Sequence, residues 1–227
     1  MLPFGEVLIV TLLELQNVSY QSKNKEILKN ISLQIDRGDY LSIVGPSGSG
    51  KSTFLKLCAH LLSPTEGEIF FKGKDFREYS PLELRRKIAY CAQTPCLFGD
   101  TVADNLSFPY LIRKQKVDLA RVEALFSSLN LNFEFMKKDV QSLSGGEKQR
   151  IVLIRTLLFK PEILLLDEVS SALDVTNSLL VEKVISSLNQ TGTTVLWITH
   201  DLEQSRKYAH KLLTLDNGKI KAEEVLR

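Results

Sequence analysis

The strongest chemical indication in this sequence is a glycine-rich segment that ends in a lysine and two hydroxyl residues. Residues 45–53 read GPSGSGKST and fit the pattern G-x-x-x-x-G-K-[ST] in full. The segment lies between an apolar run and a helical pattern, which is where a phosphate-binding loop must lie. Its backbone N–H groups would surround phosphate oxygens, and its lysine would reach the β- and γ-phosphates. The predicted nucleotide-binding residues here are Gly45, Pro46, Ser47, Gly48, Ser49, Gly50, Lys51, Ser52 and Thr53.

An apolar run that ends in two acidic residues supplies a second part of the same predicted site. The run ILLLDE occupies residues 163–168 and reads as a buried strand. Asp167 at its end, the hydroxyl of Ser52 and the amide of Gln93 would ligate Mg²⁺. Glu168 points away from Asp167 and could polarise an attacking water. Without the phosphate loop, two solvated acids at a strand end would be a fair competing interpretation.

Polar or aromatic side chains at three other strand ends are further candidates for the site. His200 ends TTVLWITH, and its imidazole could donate to a γ-phosphate or hold Glu168 and a water in place. Gln93 follows KIAYC, and its amide could contact both Mg²⁺ and water without adding charge. Tyr20 could stack on adenine, or it could equally pack in the core. The predicted catalytic residues are Glu168, His200 and Gln93.

Residues 143–150, LSGGEKQR, form a second candidate anion site. A serine and two glycines at a helix start offer free backbone N–H groups, little side-chain bulk and the positive end of the helix dipole. The alternative is a plain helix start with a basic first turn. Cations are disfavoured near a positive helix end, so that alternative explains Lys148 and Arg150 poorly. The predicted anion contacts are Ser144, Gly145 and Gly146.

The bulk composition argues against several classes of protein. The chain has 227 residues, of which 44% are hydrophobic and 25% are charged, as in an ordinary globular protein with a substantial core. Its net charge of +2 gives no argument for binding nucleic acid. The 3 cysteines have no pattern that favours a disulfide framework or a zinc site. The apolar run at residues 7–13 is too short to span a bilayer and is expected to lead into a first strand.

The hydrophobic pattern predicts the strands that position these residues. Residues 12–20 and 31–36 alternate apolar and polar side chains, as half-exposed antiparallel strands do, with a polar, turn-like stretch between them. Residues 162–168 and 193–200 are continuous apolar runs, which suit central strands of a parallel sheet covered on both faces. Such strands carry functional groups at their carboxyl ends.

Helical patterns follow the phosphate loop, at residues 52–62, and dominate the segment from about residue 94 to 160. At the end of the chain, Asn217 and Gly218 suit a type I′ turn in a closing hairpin. One apolar helical face in the long helical segment would consist of Val117, Val122, Leu125, Phe126 and Leu129.

A set of motifs in a fixed order resembles the nucleotide-binding subunit of ATP-binding cassette (ABC) transporters. The resemblance covers the chain from about residue 12, and LSGGE is highly specific to that family. It implies an α/β fold of the P-loop NTPase class, with an ABC-type core built on a mostly parallel sheet, an antiparallel β-subdomain and an inserted α-helical subdomain at roughly 94–160. Residues 1–227 would form one nucleotide-binding domain, with residues 1–10 as a loose extension. The motifs, in chain order, are Tyr20, GPSGSGKS, Gln93, LSGGEKQR, LLLDE, SALD (171–174) and His200.

The same resemblance implies cofactors and partners. ATP and Mg²⁺ would be bound, and two copies of the chain would pack head to tail with ATP between them. In that homodimer the LSGGE motif of one copy would face the phosphate loop of the other, which would explain why the chain has two anion sites. A separate integral-membrane permease would be a further partner, with this subunit lying peripherally at the cytoplasmic face of the inner membrane. The residues implied to cross the interface are Ser144, Gly145, Gly146, Ser171 and Asp174.

Residues 90–109 and 195–201 resemble, more closely, the ATP-binding subunit of a bacterial iron-export ABC transporter. The stretch LFGDTVADNL is similar to exporters more broadly. Many exporters carry Thr-Glu-Val-Gly-Glu before the LSGGE motif, whereas this chain has KKDVQS there, so the direction of transport stays open. The family couples to its membrane subunit near Gln93, which makes residues 94–100 the expected permease contacts.

Three alternatives stay open at the level of sequence. The chain could serve an importer or a transporter of another substrate, because cargo is bound by the permease. It could be a soluble ABC ATPase that acts on ribosomes or DNA, although ribosome-acting relatives usually carry two cassettes and phosphate binding needs clustered Lys and Arg. It could also be a nucleotide-binding regulator without turnover, which the presence of both Glu168 and His200 argues against.

Overall fold

A computed structural model describes residues 11–226 of the chain. The predicted loose extension at residues 1–10 lies outside the described residues. The strands are β1 (Thr11–Ser22), β2 (Lys25–Asp36), β3 (Tyr40–Val44), β4 (Glu66–Phe71), β5 (Lys74–Asp75), β6 (Ile88–Cys91), β7 (Ile163–Asp167), β8 (Thr194–Ile198), β9 (Lys211–Asp216) and β10 (Lys219–Val225). The α-helices are α1 (Lys51–Cys58), α2 (Pro81–Lys87), α3 (Val102–Ile112), α4 (Leu119–Ser128), α5 (Gly145–Leu157), α6 (Val175–Gln190) and α7 (Leu202–Lys207). Short 3₁₀ helices occupy Phe76–Glu78, Phe133–Lys137 and Val140–Ser142.

A six-stranded sheet with the order β10-β9-β3-β8-β7-β6 forms the centre of the fold. The pairings from β9 through β3, β8 and β7 to β6 are parallel, and β10 adds an antiparallel edge. Every residue of β7 and β8 is buried, because the sheet is covered on both faces. This burial explains the continuous apolar runs in the sequence and confirms the predicted α/β fold with a mostly parallel sheet.

A second, antiparallel sheet has the order β2-β1-β4-β5. Its first hairpin differs from the prediction, because β2 begins at Lys25 and the turn-like stretch expected between residues 20 and 31 shrinks to a tight turn. Lys23 and Asn24 form that turn with φ values of 46° and 63°. Positive φ values at both positions are those of a type I′ turn. The turn could not be predicted, because the Asn-Gly dipeptide that usually indicates it is not present here. The polar residues at the start of β2 are exposed, so they read as a loop in the sequence.

The phosphate loop depends on glycines at two positions where a side chain would be strained and would collide with its neighbours. Gly45 has φ 145°, and a Cβ atom there would lie 1.9 Å from the carbonyl oxygen of Leu215 in β9. Gly50 has φ 101°, and a Cβ atom would lie 2.8 Å from a methyl group of Leu28 in β2. The loop is therefore packed between the two sheets. Helix α1 starts directly after Gly50 and ends at Cys58, earlier than predicted, because His60 adopts φ 52°.

Helices α3, α4 and α5 occupy the segment for which a helical pattern was predicted. In α4 the apolar face Val122, Leu125 and Phe126 is buried, as expected from its spacing. Val117 lies outside the helix because Asp118 caps it, accepting a hydrogen bond from the backbone N–H of Arg121. Within residues 11–226, no helix is long and apolar enough to cross a membrane.

A buried amide fixes the loop between β6 and α3. Asn105 is fully buried, and its Nδ2 donates to the carbonyl oxygens of Phe98 at 2.7 Å and Thr101 at 3.1 Å. Its Oδ1 accepts from the backbone N–H of Phe98 at 3.1 Å and from Nη1 of Arg155 at 2.9 Å. Arg155 also donates to the carbonyl oxygen of Cys96 at 2.8 Å. The loop that follows Gln93 is thus held by side chains of α3 and α5.

We predict that Asn105→Leu lowers the free energy of unfolding by about 3 kcal/mol, because it leaves several buried polar groups without partners. Denaturant unfolding measures the change. Glu123→Leu on the exposed face of α4 is the matched control and should change stability by less than about 0.5 kcal/mol. Equal stability of the two variants would contradict the role given to Asn105.

Candidate active site

Four neighbouring parallel strands deliver the predicted site residues to one edge of the central sheet. The phosphate loop follows β3, His200 follows β8, Asp167 and Glu168 lie at the end of β7, and Gln93 follows β6. These strands are adjacent in the order β3-β8-β7-β6. Because parallel strands end on the same side, their terminal side chains converge there. The strand order therefore brings together residues that are far apart in the chain.

A cleft of about 650 Å³ lies over this edge of the sheet. Predicted residues that line it are Ser47, Gly48, Gly50, Lys51, Ser52, Thr53, Gln93, Glu168 and His200. The sequence analysis missed other lining residues, which come from β2 and from the closing hairpin: Lys25, Glu26, Ile27, Lys29, Asn217 and Gly218. None of them carries a nucleotide-binding motif, and their position in the cleft depends on how the second sheet and the last hairpin pack against the loop.

The lysine of the phosphate loop is held inside the loop by backbone oxygens. Lys51 is 5% exposed, and its Nζ donates to the carbonyl oxygens of Gly45 at 2.9 Å and Pro46 at 3.0 Å. Burial lowers the pKa of the Lys51 ammonium, against the opposing effect of the nearby Glu168 and Asp167 carboxylates. A cation placed in this way is suited to a phosphate that approaches the loop.

The loop also contains a buried polar atom that has no protein partner. The hydroxyl of Ser49 is buried and has no hydrogen-bond partner among the described residues. Buried hydroxyls are normally paired, so this one fits a loop that awaits an external acceptor or donor. A phosphate oxygen is an acceptor of the right kind, and the loop residues present therefore fit a bound nucleotide.

Asp167 is a buried carboxylate with both oxygens engaged. Its Oδ1 accepts from the hydroxyl of Ser52 at 3.0 Å, and its Oδ2 accepts from the hydroxyl of Tyr90 in β6 at 2.8 Å. The pKa of the Tyr90 phenol is raised mainly by burial and also by the hydrogen bond to Asp167. The phenol therefore stays protonated and can donate this hydrogen bond. A hydroxyl and a carboxylate side by side are oxygen ligands of the kind that Mg²⁺ prefers, so Ser52 and Asp167 fit this ion. Tyr90 was missed because nothing in the sequence marks its pairing with Asp167.

Glu168 connects the other two predicted catalytic residues. Its Oε1 lies 2.7 Å from Nε2 of His200, and its Oε2 accepts from Nε2 of Gln93 at 2.6 Å. The backbone of Glu168 has φ 51°, which is unusual outside glycine and clusters at functional sites. Its N–H donates to the carbonyl oxygen of Ile198 at 3.1 Å, which holds this conformation against the neighbouring strand β8. A carboxylate fixed at both oxygens beside a phosphate loop is placed to act as a base toward water.

The LSGGE segment forms the start of α5 and does not line the cleft of its own chain. Ser144 caps the helix: its Oγ accepts from the N–H of Glu147 at 3.3 Å, and its own N–H donates to Glu147 Oε2 at 2.7 Å. The hydrogen bond from the Ser144 N–H is the main reason why the pKa of the Glu147 carboxyl is lowered. Ser144 and Gly145 are exposed, and a Cβ atom on Gly145 would meet open space. The segment is thus a free helix start on the surface.

The two residues predicted from the SALD segment lie between Glu168 and helix α6 in the chain, and one of them contacts Glu168. Ser171 donates through Oγ to the carbonyl oxygen of Glu168 at 2.8 Å. Asp174 caps α6 by accepting from the N–H of Asn177 at 2.8 Å, and this bond lowers the pKa of the Asp174 carboxyl. Both residues are exposed.

The role of Tyr20 stays a prediction, between stacking on adenine and packing in the core. Its ring is partly buried and packs against the hydrophobic core. It lies outside the lining of the cleft, which does not decide between the two roles, because three residues of the phosphate loop also lie outside it: Gly45, Pro46 and Ser49. The register of β1 shifts on both sides of Val18, where Asn17 has φ 50°, so alternation alone could not assign the face of Tyr20.

The sequence matches a known protein family over more than half of its length. The sequence pattern of the family described as "ABC transporter" matches residues 28–171. The chain belongs to the ABC transporter family. It is similar to the "Probable iron export ATP-binding protein FetA" of Escherichia coli strain K12, with 46% identity over 90% of this chain and 91% of the relative. It is also 39% identical to "ABC transporter I family member 17" of Arabidopsis thaliana, over 86% of this chain and 74% of the relative.

Solved structures agree with the assignment. A dimeric ATP-binding cassette in a post-hydrolysis state, bound to ADP and Pi, matches with a TM-score of 0.86 and 31% identity, over 95% of this chain and 99% of that chain. A bacterial Atm1-family ABC exporter with ATP bound matches with a TM-score of 0.86 and 28% identity, over 99% of this chain and 41% of that chain. The fold is therefore that of an ABC ATPase cassette, as the motif order implied.

We predict that Tyr20→Leu raises the KM for ATP of this ABC ATPase by about tenfold, because stacking on a base is worth about 1–3 kcal/mol. The ring also packs against the hydrophobic core, so the free energy of unfolding should fall by about 1 kcal/mol. Steady-state ATPase kinetics and denaturant unfolding measure the two effects. A KM within twofold of wild type, together with the loss of stability, would leave packing as the role of the ring.

Proposed function

We propose that this ABC ATPase hydrolyses Mg²⁺-ATP between two copies of the chain and thereby drives a separate membrane permease that exports iron. The observation that carries the catalytic part is the Glu168 carboxylate, bound at one oxygen by Gln93 and at the other by His200, beside the buried Lys51. A carboxylate without a catalytic role at a strand end would not need two polar partners that follow the two neighbouring strands.

The proposed chemistry divides among the residues of the cleft. The N–H groups of the phosphate loop and Lys51 bind the phosphates, and Thr53 holds the α-phosphate. Ser52 and Asp167, with the amide oxygen of Gln93, would hold Mg²⁺, which neutralises phosphate charge when it is bound. Glu168 accepts a proton from the attacking water, and His200 keeps the Glu168 carboxylate in place.

The position of the LSGGE segment supports the two-copy arrangement. Ser144 and Gly145 are exposed and Gly146 is half-buried, at a helix start that does not line the cleft of its own chain. Such a start is a ready anion site, so in the dimer it serves the γ-phosphate bound to the other copy. Ser171, which contacts Glu168, and the exposed Asp174 would extend the same interface. The dimeric cassettes among the similar structures support this arrangement.

The proposals of a permease partner and of iron as the cargo are supported by the similar proteins and by one partly apolar surface of this chain. The similarity to an iron export ATP-binding protein extends over 90% of the chain, which favours iron over other cargo. Residues 94–100, the proposed permease contacts, follow Gln93 and are fixed by Asn105 and Arg155. Phe98 in this loop is 40% exposed and Phe108 is 43% exposed, so the surface offers apolar area to a partner. The subunit would lie at the cytoplasmic face of the inner membrane, held there by the permease.

We predict that Glu168→Gln reduces the kcat for ATP at least hundredfold and yields a stable dimer in ATP, because the amide keeps the hydrogen-bonding shape but is no base. Phosphate release and size-exclusion chromatography with ATP and Mg²⁺ measure the two effects. Glu162→Gln, at the opposite end of β7, is the matched control and should keep wild-type turnover. Full activity of Glu168→Gln would show that another group activates the water.

The transport proposal is tested by affinity purification of the tagged protein from detergent-solubilised membranes, followed by mass spectrometry. We expect a multi-span membrane protein in near-equal amount, and expect deletion of this subunit to raise cellular iron and sensitivity to iron with peroxide. Recovery of ribosomes, DNA or no partner would leave the proposed ATP hydrolysis unaffected and would overturn the proposed role in transport. A permease partner with unchanged iron content and sensitivity would overturn iron as the cargo.

A further inference from the structure

A buried glutamine on α7 joins three segments of the chain behind the proposed catalytic residues. Gln204 is 8% exposed, and its Oε1 accepts from the hydroxyl of Thr199 at 2.5 Å and from the hydroxyl of Ser170 at 3.1 Å. Its Nε2 donates to Oε1 of Glu182 on α6 at 2.9 Å. Thr199 directly precedes His200, and Ser170 lies two residues after Glu168. One side chain thus touches the loops that carry both catalytic partners.

The chemistry of these contacts requires an amide at position 204. Two hydroxyl donors meet Oε1, and a carboxylate acceptor meets Nε2, so the orientation of the amide is determined by its neighbours. A leucine or methionine would leave the buried carboxylate of Glu182 and the two hydroxyls without this partner. A glutamate would place a second carboxylate against Glu182. Glu182 itself is fixed by Lys207, whose Nζ lies 2.7 Å from Oε2.

His200 is poorly fixed by packing, so its backbone must be held in another way. Its side chain is 53% exposed. The hydroxyl of Thr199 accepts from the N–H of Asp201 at 3.1 Å, while it donates to Gln204. Asp201 in turn caps α7 through the N–H groups of Glu203 and Gln204, at 2.9 Å and 3.0 Å. The turn that presents His200 is therefore closed on both sides by bonds that end at Gln204.

We propose that Gln204 is a positioning residue that keeps His200 in register with Glu168. The inference rests on the catalytic roles proposed above for those two residues. Gln204 ties the His200 turn to the Ser170 segment, and Glu182 anchors both to α6. Loss of the amide would let the two loops move independently, so the contact between Nε2 of His200 and Oε1 of Glu168 would lengthen or break.

The first test reads His200 directly, by NMR of the imidazole groups in wild type and Gln204→Met. The chain has 3 histidines, and a His200→Asn variant assigns the signal of interest. We expect the imidazole resonances of His200 to change in Gln204→Met, while those of His60 stay as in wild type. Unchanged His200 resonances in a folded Gln204→Met protein would overturn the inference, whatever the outcome for Glu168→Gln.

The second test separates kcat from KM in the same variant. A misplaced catalytic group costs rate more than binding, so kcat should fall by about tenfold to hundredfold with the KM for ATP within twofold. Glu203→Gln, the preceding and exposed residue of α7, is the matched control and should keep both constants. If Glu168→Gln is inactive and Gln204→Met keeps wild-type kcat, the inference fails while the proposed function stands.

A second variant covers the case in which Gln204→Met does not fold. Thr199→Val keeps the shape at the end of β8 and removes the hydroxyl that bridges Asp201 and Gln204. It should shift the His200 resonances and lower kcat in the same direction. A folded Thr199→Val protein with wild-type His200 resonances and wild-type kcat would overturn the inference.

Discussion

The carboxylate of Glu168 is bound between the amide of Gln93 and the imidazole of His200, and the rest of the site depends on this arrangement. It exists because β6, β7 and β8 are adjacent and parallel, so the residue after each strand arrives at the same edge. The next strand, β3, brings the phosphate loop to that edge. A change of strand order would separate the proposed base from the phosphates without altering any motif.

Keeping charged groups in this place has a physical cost, which the surroundings offset. Lys51 and Asp167 are both nearly buried, and each is satisfied by several partners in the loop or in β6. Burying a charge without such partners would cost several kcal/mol. The left-handed backbone of Glu168 is a further strain, held by a bond to Ile198 on β8. The charged groups of the site are thus stabilised by partners from several different elements.

The fold class and the strand ends could be predicted from the sequence, because buried parallel strands leave continuous apolar runs that end in functional side chains. Side-chain contacts that depend on strand register could not be predicted. Tyr90 contacts Asp167, and Gln204 contacts Thr199, through pairings that no spacing in the sequence indicates. Tyr20 illustrates the same limit, since irregular register in β1 decides which face it occupies. The early start of β2 was not predicted, because Lys23 and Asn24 form the hairpin turn in place of a glycine signal.

The most direct measurement of the central claim is a crystal structure of Glu168→Gln with ATP and Mg²⁺. The account predicts a head-to-tail dimer in which each ATP contacts the phosphate loop of one copy and the Ser144 helix start of the other. It also predicts that the side chain at position 168 lies beside the γ-phosphate, between Gln93 and His200. ATP bound by one copy alone, or a side chain at 168 turned away from the γ-phosphate, would contradict the account.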